Sequence, residues 1–466
     1  MKRIRILIPA LVVAGMAVAQ TTYEAAEMLG TDLIGSARYV GMGGAMSAFG
    51  NDLSIISKNP AGIGLYTTND VMTTLSFSQT KTFVNDSFGR ENKTNSPVKA
   101  GLDNMAFVMV NPLSDKSSLN FAFAYHKNKD QKYTMTYNDM MSDDLGYTIW
   151  RDFENNVRSR TDQYDFNVSM NVNDNVYWGV TFGILSSQYR SDGYFYDYYP
   201  RQTDYPSVVD NYSYDGHLDF DGAGWNMTLG LIMRSPTGHS RLGFSVQTPT
   251  VMHVNTMYED FLYAAAGQAI KQEDIHLLQE TTYNVRNPWI FNISTGFSGE
   301  HSALGFEYEL VDANQMSMTS GRSKLRDQVN DKLLAYSTFR VGYEANIDKM
   351  SFRIGYNSSS PLFRTQAYKF LEDTDFNYNR NDCHFNNLKT VRNFTLGVGY
   401  CSAPGTMGEQ YYVDGAYVYT TKRSDFSLGS YPVGIDQYDR VINYDSSVVE
   451  FSNNGHRFVL SVGCCF

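Results

Sequence analysis

Beyond its first twenty residues the chain has no stretch approaching 18 uninterrupted apolar residues, so no helix in it is expected to cross a bilayer. Cysteine is scarce, with 4 in 466 residues. Cys383, Cys401, Cys464 and Cys465 form no C-x-x-C and no Cys/His ligand spacing, so no metal site is expected. In an oxidising compartment Cys383 and Cys401 remain open to pairing. Positive charge is in deficit, with 38 Lys and Arg against 49 Asp and Glu and a net charge of -11. That argues against a nucleic-acid partner, which needs a basic patch. An acidic surface attracts divalent cations instead. The eight histidines are scattered, with no pair suited to axial haem ligation. Gly41, Gly43 and Gly44 lack G-x-G-x-x-G spacing, and no P-loop lysine is present, so no nucleotide or other cofactor is expected. No Ser/His/Asp order or carboxylate pair stands out, so the chain does not read as an enzyme. His217, His253 and Tyr283 carry no signal beyond their residue type.

What is present begins with an export signal. Lys2, Arg3 and Arg5 are followed by an apolar run from Ile6 to Val18, and Ala17-Val18-Ala19 is a small-residue cleavage site. Residues 1–19 are therefore expected to be a cleaved signal peptide. No Cys follows the site, so no lipid anchor is expected there. Aromatics are abundant, with 34 Tyr and 28 Phe, while mean hydropathy is only -0.36. A transmembrane β-barrel reconciles the two, because only alternate residues of each strand face lipid and aromatics gather at both interfaces.

The chain's end fits that pattern. Phe458, Leu460, Val462, Cys464 and Phe466 alternate with Arg457, Val459, Ser461, Gly463 and Cys465. A final strand ending in Phe resembles the insertion signal read by the barrel assembly machinery of Gram-negative bacteria. Phe458, Leu460, Val462 and Phe466 are its candidate residues.

About fourteen alternating runs recur between 69 and 466, an even number as bacterial barrels require. Short turns at 111–116, 173–174, 235–239, 299–301, 345–348 and 402–409 alternate with long segments at 81–103, 128–161, 188–212, 259–280, 313–335, 358–390 and 422–455. Short turns on one side and long loops on the other are the layout of an outer-membrane barrel. The expected fold is all-β, a 14-stranded antiparallel transmembrane barrel over 69–466 with a polar lumen. Residues 20–68, small and Gly-rich, are expected to fill that lumen as a hatch. Within the long segment 259–280, residues 260–279 are rich in helix formers. Phe261, Leu262, Ala265, Ala266, Ala269 and Ile270 share one helical stripe, so an apolar helix over the outer mouth is expected.

Two motifs carry a resemblance. Gly41-Met-Gly-Gly-Ala-Met-Ser-Ala48 precedes Asn59-Pro60-Ala61, and Phe339-Arg-Val-Gly-Tyr343 is matched by Phe352-Arg-Ile-Gly-Tyr356 with Ser360-Pro361 beyond it. With the export signal and strand count, they resemble the FadL/TodX family of outer-membrane transporters for hydrophobic compounds. Leu362-Phe363 departs from that family's usual Val-Pro. The resemblance implies a monomeric barrel closed by an N-terminal hatch, passive uptake of a long-chain fatty acid or similar compound, capture at an outer apolar groove, and release sideways into the membrane. It assigns Gly41, Gly43, Gly44, Asn59, Pro60 and Ala61 to the hatch and Phe261, Leu262 and Ile270 to capture. Arg340 and Arg353 are candidates to meet a carboxylate, or alternatively to hold a lumen network. Outer-membrane lipid and lipopolysaccharide would surround the barrel. A second reading is a barrel that serves a secretion system as a protein-interaction component.

Overall fold

The computed structural model describes residues 26–85, 91–142, 148–198, 211–265, 273–318, 333–363, 387–406, 408–426, 430–435, 441–445 and 449–466. They form a closed fourteen-strand antiparallel barrel. The strands are β1 (Asp70–Asn85), β2 (Glu91–Asn95 and Lys99–Ser114), β3 (Ser117–Ser142), β4 (Thr148–Val172), β5 (Val176–Tyr198) and β6 (Asn211–Arg234). Next come β7 (Ser240–Gln247 and Val251–Ala265), β8 (Glu273–Arg286 and Ile290–Ser298), β9 (Ser302–Asp312, with Ser317–Met318 beyond it) and β10 (Ala335–Ile347). The last four are β11 (Met350–Ser359), β12 (Asn387–Cys401), β13 (Gln410–Phe426) and β14 (Val449–Cys465). A separate hairpin pairs Ser430–Ile435 with Val441–Asp445. Closure is direct: β14 pairs with both β13 and β1, and Phe466 and Asn69 exchange backbone hydrogen bonds of 2.9 and 3.1 Å.

The lipid-facing side follows the alternation read in the sequence. On β5, Val176, Trp178, Phe182 and Ile184 are exposed, and on β6 so are Trp225, Met227, Leu229, Leu231 and Met233. Phe458, Leu460 and Val462 on β14 and Phe466 just beyond it are exposed, while Val459 and Ser461 are buried inside. Such a band is as long as a tilted strand of ~9–11 residues needs to cross the hydrocarbon. The turns below it are tight. Asn173 and Asp174 both adopt positive φ (54° and 60°), the conformation a two-residue hairpin requires and Asn and Asp tolerate.

Above the band the structure departs from expectation. The segment 128–161 is not a long loop: β3 has 26 residues and β4 has 25, paired from Ser118↔Asn171 to Ser142↔Thr148. Here the faces swap character. Tyr133, Met135, Tyr137, Phe153 and Val157 point inward and pack with Tyr189, Leu218, Phe220, Tyr258, Tyr283 and Phe451. The lumen therefore has two storeys: at lipid height buried polar groups mix with smaller apolar clusters around the N-terminal segment, and above them lies the large apolar cluster. The expected mouth helix is also absent from the described part of its range. Asp260–Ala265 continues β7 and Glu273–Gln279 lies in β8, in register His276↔Phe261 and Ile275↔Leu262, with Tyr214↔Leu262 on the other side. Ladder pairing with two neighbours outweighs the helix propensity of an alanine-rich run. Ile270 lies outside the described residues, as does Cys383.

Candidate ligand path through the barrel

Residues 26–66 lie inside the barrel. A short helix α1 (Ala37–Gly41) is capped by Ser36, whose Oγ accepts from Tyr39 N at 3.0 Å. Two 3-10 turns follow, Leu53–Ile55 capped by Asp52 and Pro60–Leu65 capped by Asn59. Pro60 occupies the first position of its turn, where its missing N–H is not needed. Asn59 also donates to Ser47 O at 3.0 Å, so it ties two parts of the segment together. Asp52 is buried, and burial pushes its carboxyl up from the usual range against the hydrogen bonds it accepts from Ser36 and Ser54.

The wall is built to receive this segment. Backbone carbonyls of the segment accept from wall side chains all round: Ile63 from Asn120, Pro60 from Ser169, Ile56 from Thr181, Lys58 from Ser245, Gly43 from Asn357 and Gly41 from Thr395. The paired R-x-G-Y motifs have a physical reason. A Cβ on Gly342 would sit 2.2 Å from Met42 O, and one on Gly355 would sit 2.2 Å from Gly43 N. Only glycine lets the two backbones approach so closely. Gly43 itself has φ +62°, so a side chain there is strained as well.

The motif arginines belong to buried ion networks. Arg340 bonds Glu307 at 2.7 Å and Glu309 at 3.2 Å, and Glu309 also takes Lys58 of the N-terminal segment at 3.1 Å. Arg353 bonds Glu344 at 2.6 Å and Asp414 at 2.5 Å, and Glu344 takes Arg38 at 3.1 Å. Their nitrogens are thus engaged by protein carboxylates, which gives both residues a part in anchoring the segment.

Between the N-terminal segment and the apolar storey lies a cavity of about 210 Å³. Its upper lining includes Tyr133, Tyr189, Leu218, Leu362 and Phe363, members of the apolar cluster. Leu362-Phe363, the point where the sequence departs from the family pattern, therefore supplies apolar wall. Arg340, Lys422 and Arg457 line the other side. Lys422 pairs with Asp32 at 2.7 Å. Arg457 has no ion-pair partner among the described residues and donates only to Leu33 O, at 3.4 Å. The cavity is amphipathic, and among its described lining residues Arg457 and Lys132 make no direct ion pair, with Asp32 within electrostatic reach of Arg457.

The wall beside it is incomplete. The β2–β3 ladder runs from Ser114↔Ser117 to Asn104↔His126 and stops; above that, the backbone of β3 pairs only with β4 among the described residues, and side chains alone bridge to β2, Thr94 and Thr136 sharing a hydrogen bond of 2.8 Å. Both edges are irregular: Asp103 bulges from β2 and Asn128 from β3. Bulges bend a strand away from its neighbour. The open edge of β3 is covered from inside by Asp32. Its N–H donates to Asn128 O at 2.8 Å, and its carboxylate accepts from Asp130 N at 3.2 Å and Gln131 Nε2 at 3.1 Å. Across the gap Lys99 of β2 pairs with Asp130 of β3, and Lys127 bonds Asp130 at 2.8 Å. Burial works against charge on Asp32, but Lys422, Arg457 and Lys129 outweigh it and hold the carboxyl down to about 2. Nothing in the sequence singled out Asp32 or Arg457. The nearest signal for the gap was Ser96-Pro97, which interrupts β2.

Phe261 stands outside this path. Its ring stacks on His276 at 4.4 Å between centroids, and His276 bonds Glu259 at 3.0 Å. No apolar groove forms there among the described side chains.

No protein-family model and no curated protein matches the sequence. Solved structures do match in fold. The Pseudomonas putida toluene transporter TodX superposes with a TM-score of 0.59 at 14% identity, over 93% of this chain and 99% of that one. A Pseudomonas aeruginosa FadL homologue gives 0.56 at 14%, over 93% and 99%. The Ralstonia pickettii toluene transporter TbuX gives 0.51 at 14%, again over 93% and 99%. The chain thus has the FadL/TodX-type fold over nearly its whole length.

Proposed function

We propose that this chain is an outer-membrane channel for passive uptake of hydrophobic small molecules, and that within that class it takes anionic amphiphiles such as long-chain fatty acids. The fold it shares with structures described as toluene transporters and a FadL homologue supports the broader reading. The single observation that carries the narrower one is the amphipathic cavity, apolar above and lined below by Arg457, which makes no direct ion pair among the described residues. A hydrocarbon needs no such cation. An acyl chain gains about 0.8 kcal/mol per buried CH₂ in the upper part. A carboxylate at Arg457 adds a charge-assisted bond.

In this mechanism the ligand is captured in the apolar storey around Leu218, Phe220 and Tyr283, in place of the mouth helix expected from the sequence. Its head settles toward Arg457. Displacement of the N-terminal segment at Asp32 uncovers the β2–β3 gap, and the ligand leaves sideways at the upper edge of the lipid band. It never crosses the lower lumen, which the N-terminal segment fills. Gly41, Gly43, Gly44, Asn59, Pro60 and Ala61 serve the segment that blocks that lumen.

The test is mass spectrometry of organic extracts from the detergent-purified protein beside an empty-porin control. Stoichiometric fatty acid supports the proposal. Neutral hydrocarbon alone would keep the channel and reject the anionic specificity. Co-eluting exported polypeptides with no lipid would favour the secretion reading.

A further inference from the structure

Among the described residues, three exposed large aromatics stand clear of the lipid-facing band and lie together. Trp150 on β4 and Tyr194 and Tyr198 on β5 are 50%, 44% and 47% exposed. Trp150 and Tyr198 are direct cross-strand partners. Tyr194, Tyr196 and Tyr198 alternate onto one outward face, spaced ~6.7 Å apart along the strand. Ile184 marks the top of the lipid band on β5, so Tyr194 stands roughly 30 Å further along the strand at ~3.3 Å per residue. Ser186, Gln188, Arg190 and Asp192 occupy the outward positions between, which rules out a continuous lipid face.

Polar groups flank the rings in register. Tyr194 lies beside Glu154 on β4 and Asp215 on β6, and Tyr196 beside Asp152 and Ser213. Asp152 accepts from Asn138 Nδ2 at 2.9 Å, which fixes an amide next to it. The result is a row of aromatic side chains on one sheet face, bordered by hydrogen-bond acceptors.

We propose that this face docks a neutral glycan chain. Pyranose rings present apolar C–H faces that stack on aromatic rings, and their hydroxyls donate to carboxylates. A row at the two-residue repeat of a strand suits a linear chain of such units. The carboxylates on both sides repel anionic polymers, including nucleic acids and uronate-rich glycans. A protein partner fits less well, because interface centres are depleted of charge and would bury these carboxylates unpaired. The inference is independent of the transport reading, since the face lies outside the barrel and touches neither cavity nor gap.

The experiment uses the full chain in detergent micelles, titrated with neutral hexose hexamers of the glucan, mannan and galactan types and with a hexuronate hexamer. At least one neutral hexamer should bind and the hexuronate should not. W150A with Y198A should weaken binding about tenfold or more, with the gel heat-shift of the barrel unchanged. The shape-preserving pair D152N and E154Q should also weaken it, which keeps the test valid if the aromatic variants assemble poorly. The proposal is overturned if wild type binds no neutral hexamer. It is equally overturned if the hexuronate binds as well, if both sets of variants bind normally, or if the face captures a polypeptide that no sugar displaces.

Discussion

At the scale of single residues, the arginines divide by environment. Arg340 and Arg353 are buried between carboxylates, whereas Arg457 faces the cavity with one weak contact. R353M should therefore leave Glu344 and Asp414 undercompensated and destabilise the barrel by about 3–5 kcal/mol. A lowered midpoint in urea or heat would register that. R457M should leave the midpoint nearly unchanged but weaken fatty-acid binding about tenfold or more, as expected for a lost charge-assisted bond worth ~1.5–3 kcal/mol. Equal binding by R457M would remove the carboxylate site. Asp32 gives a pH prediction. Its carboxyl is held at about 2 against an ordinary 3.8, so its contribution is complete above pH 3.8 and fades only as pH falls through about 2. Protection of the Asn128–Gln131 backbone from hydrogen exchange should hence be flat with respect to this group from pH 4 to 8. D32N should reduce it throughout. The sequence showed the motif arginines because they recur in R-x-G-Y; it could not show Arg457, whose meaning depends on the cavity that distant strands and the N-terminal segment build around it.

At the scale of elements, the strands crossing lipid were legible and those above it were not. In β6 and β14 the apolar set alternates with small or polar residues, and lipid demands that pattern wherever the wall meets it. Above the bilayer the demand reverses. Tyr133, Met135 and Tyr137 alternate just as regularly but face inward, and the polar outward partners made the segment read as loop. The run Asp260–Gln279 misled in the opposite way, because alanines and glutamines favour a helix only where no ladder competes. The N-terminal segment and the wall glycines form one fitted element. G355V should dislodge the segment at Gly43, since a Cβ has no room there. Single-channel recordings should then show larger, noisier conductance than wild type. An unchanged closed channel would mean that the segment is held by its other bonds alone.

At the scale of the whole molecule, the phase of the turns was the informative feature. Short connections at one end fixed which way the strands run, and the closing pair β1–β14 follows from it. What the sequence did not disclose is asymmetry. The wall is tall on β3–β6, broken between β2 and β3, and covered at that break by the N-terminal segment. Such features depend on contacts between residues about a hundred positions apart, as with Asp32 and Asp130. Removal of Phe466 should reduce assembly into the outer membrane, read as loss of the heat-shifted gel band, while sparing export. The central claim is that ligand leaves through the gap that Asp32 covers. Its most direct test is uptake of a long-chain fatty acid by D32C/N128C in a background whose four native cysteines are replaced by serine. The account predicts that oxidation, which staples the segment to β3, abolishes uptake and that reduction restores it. Undiminished uptake by the fully oxidised protein would contradict it.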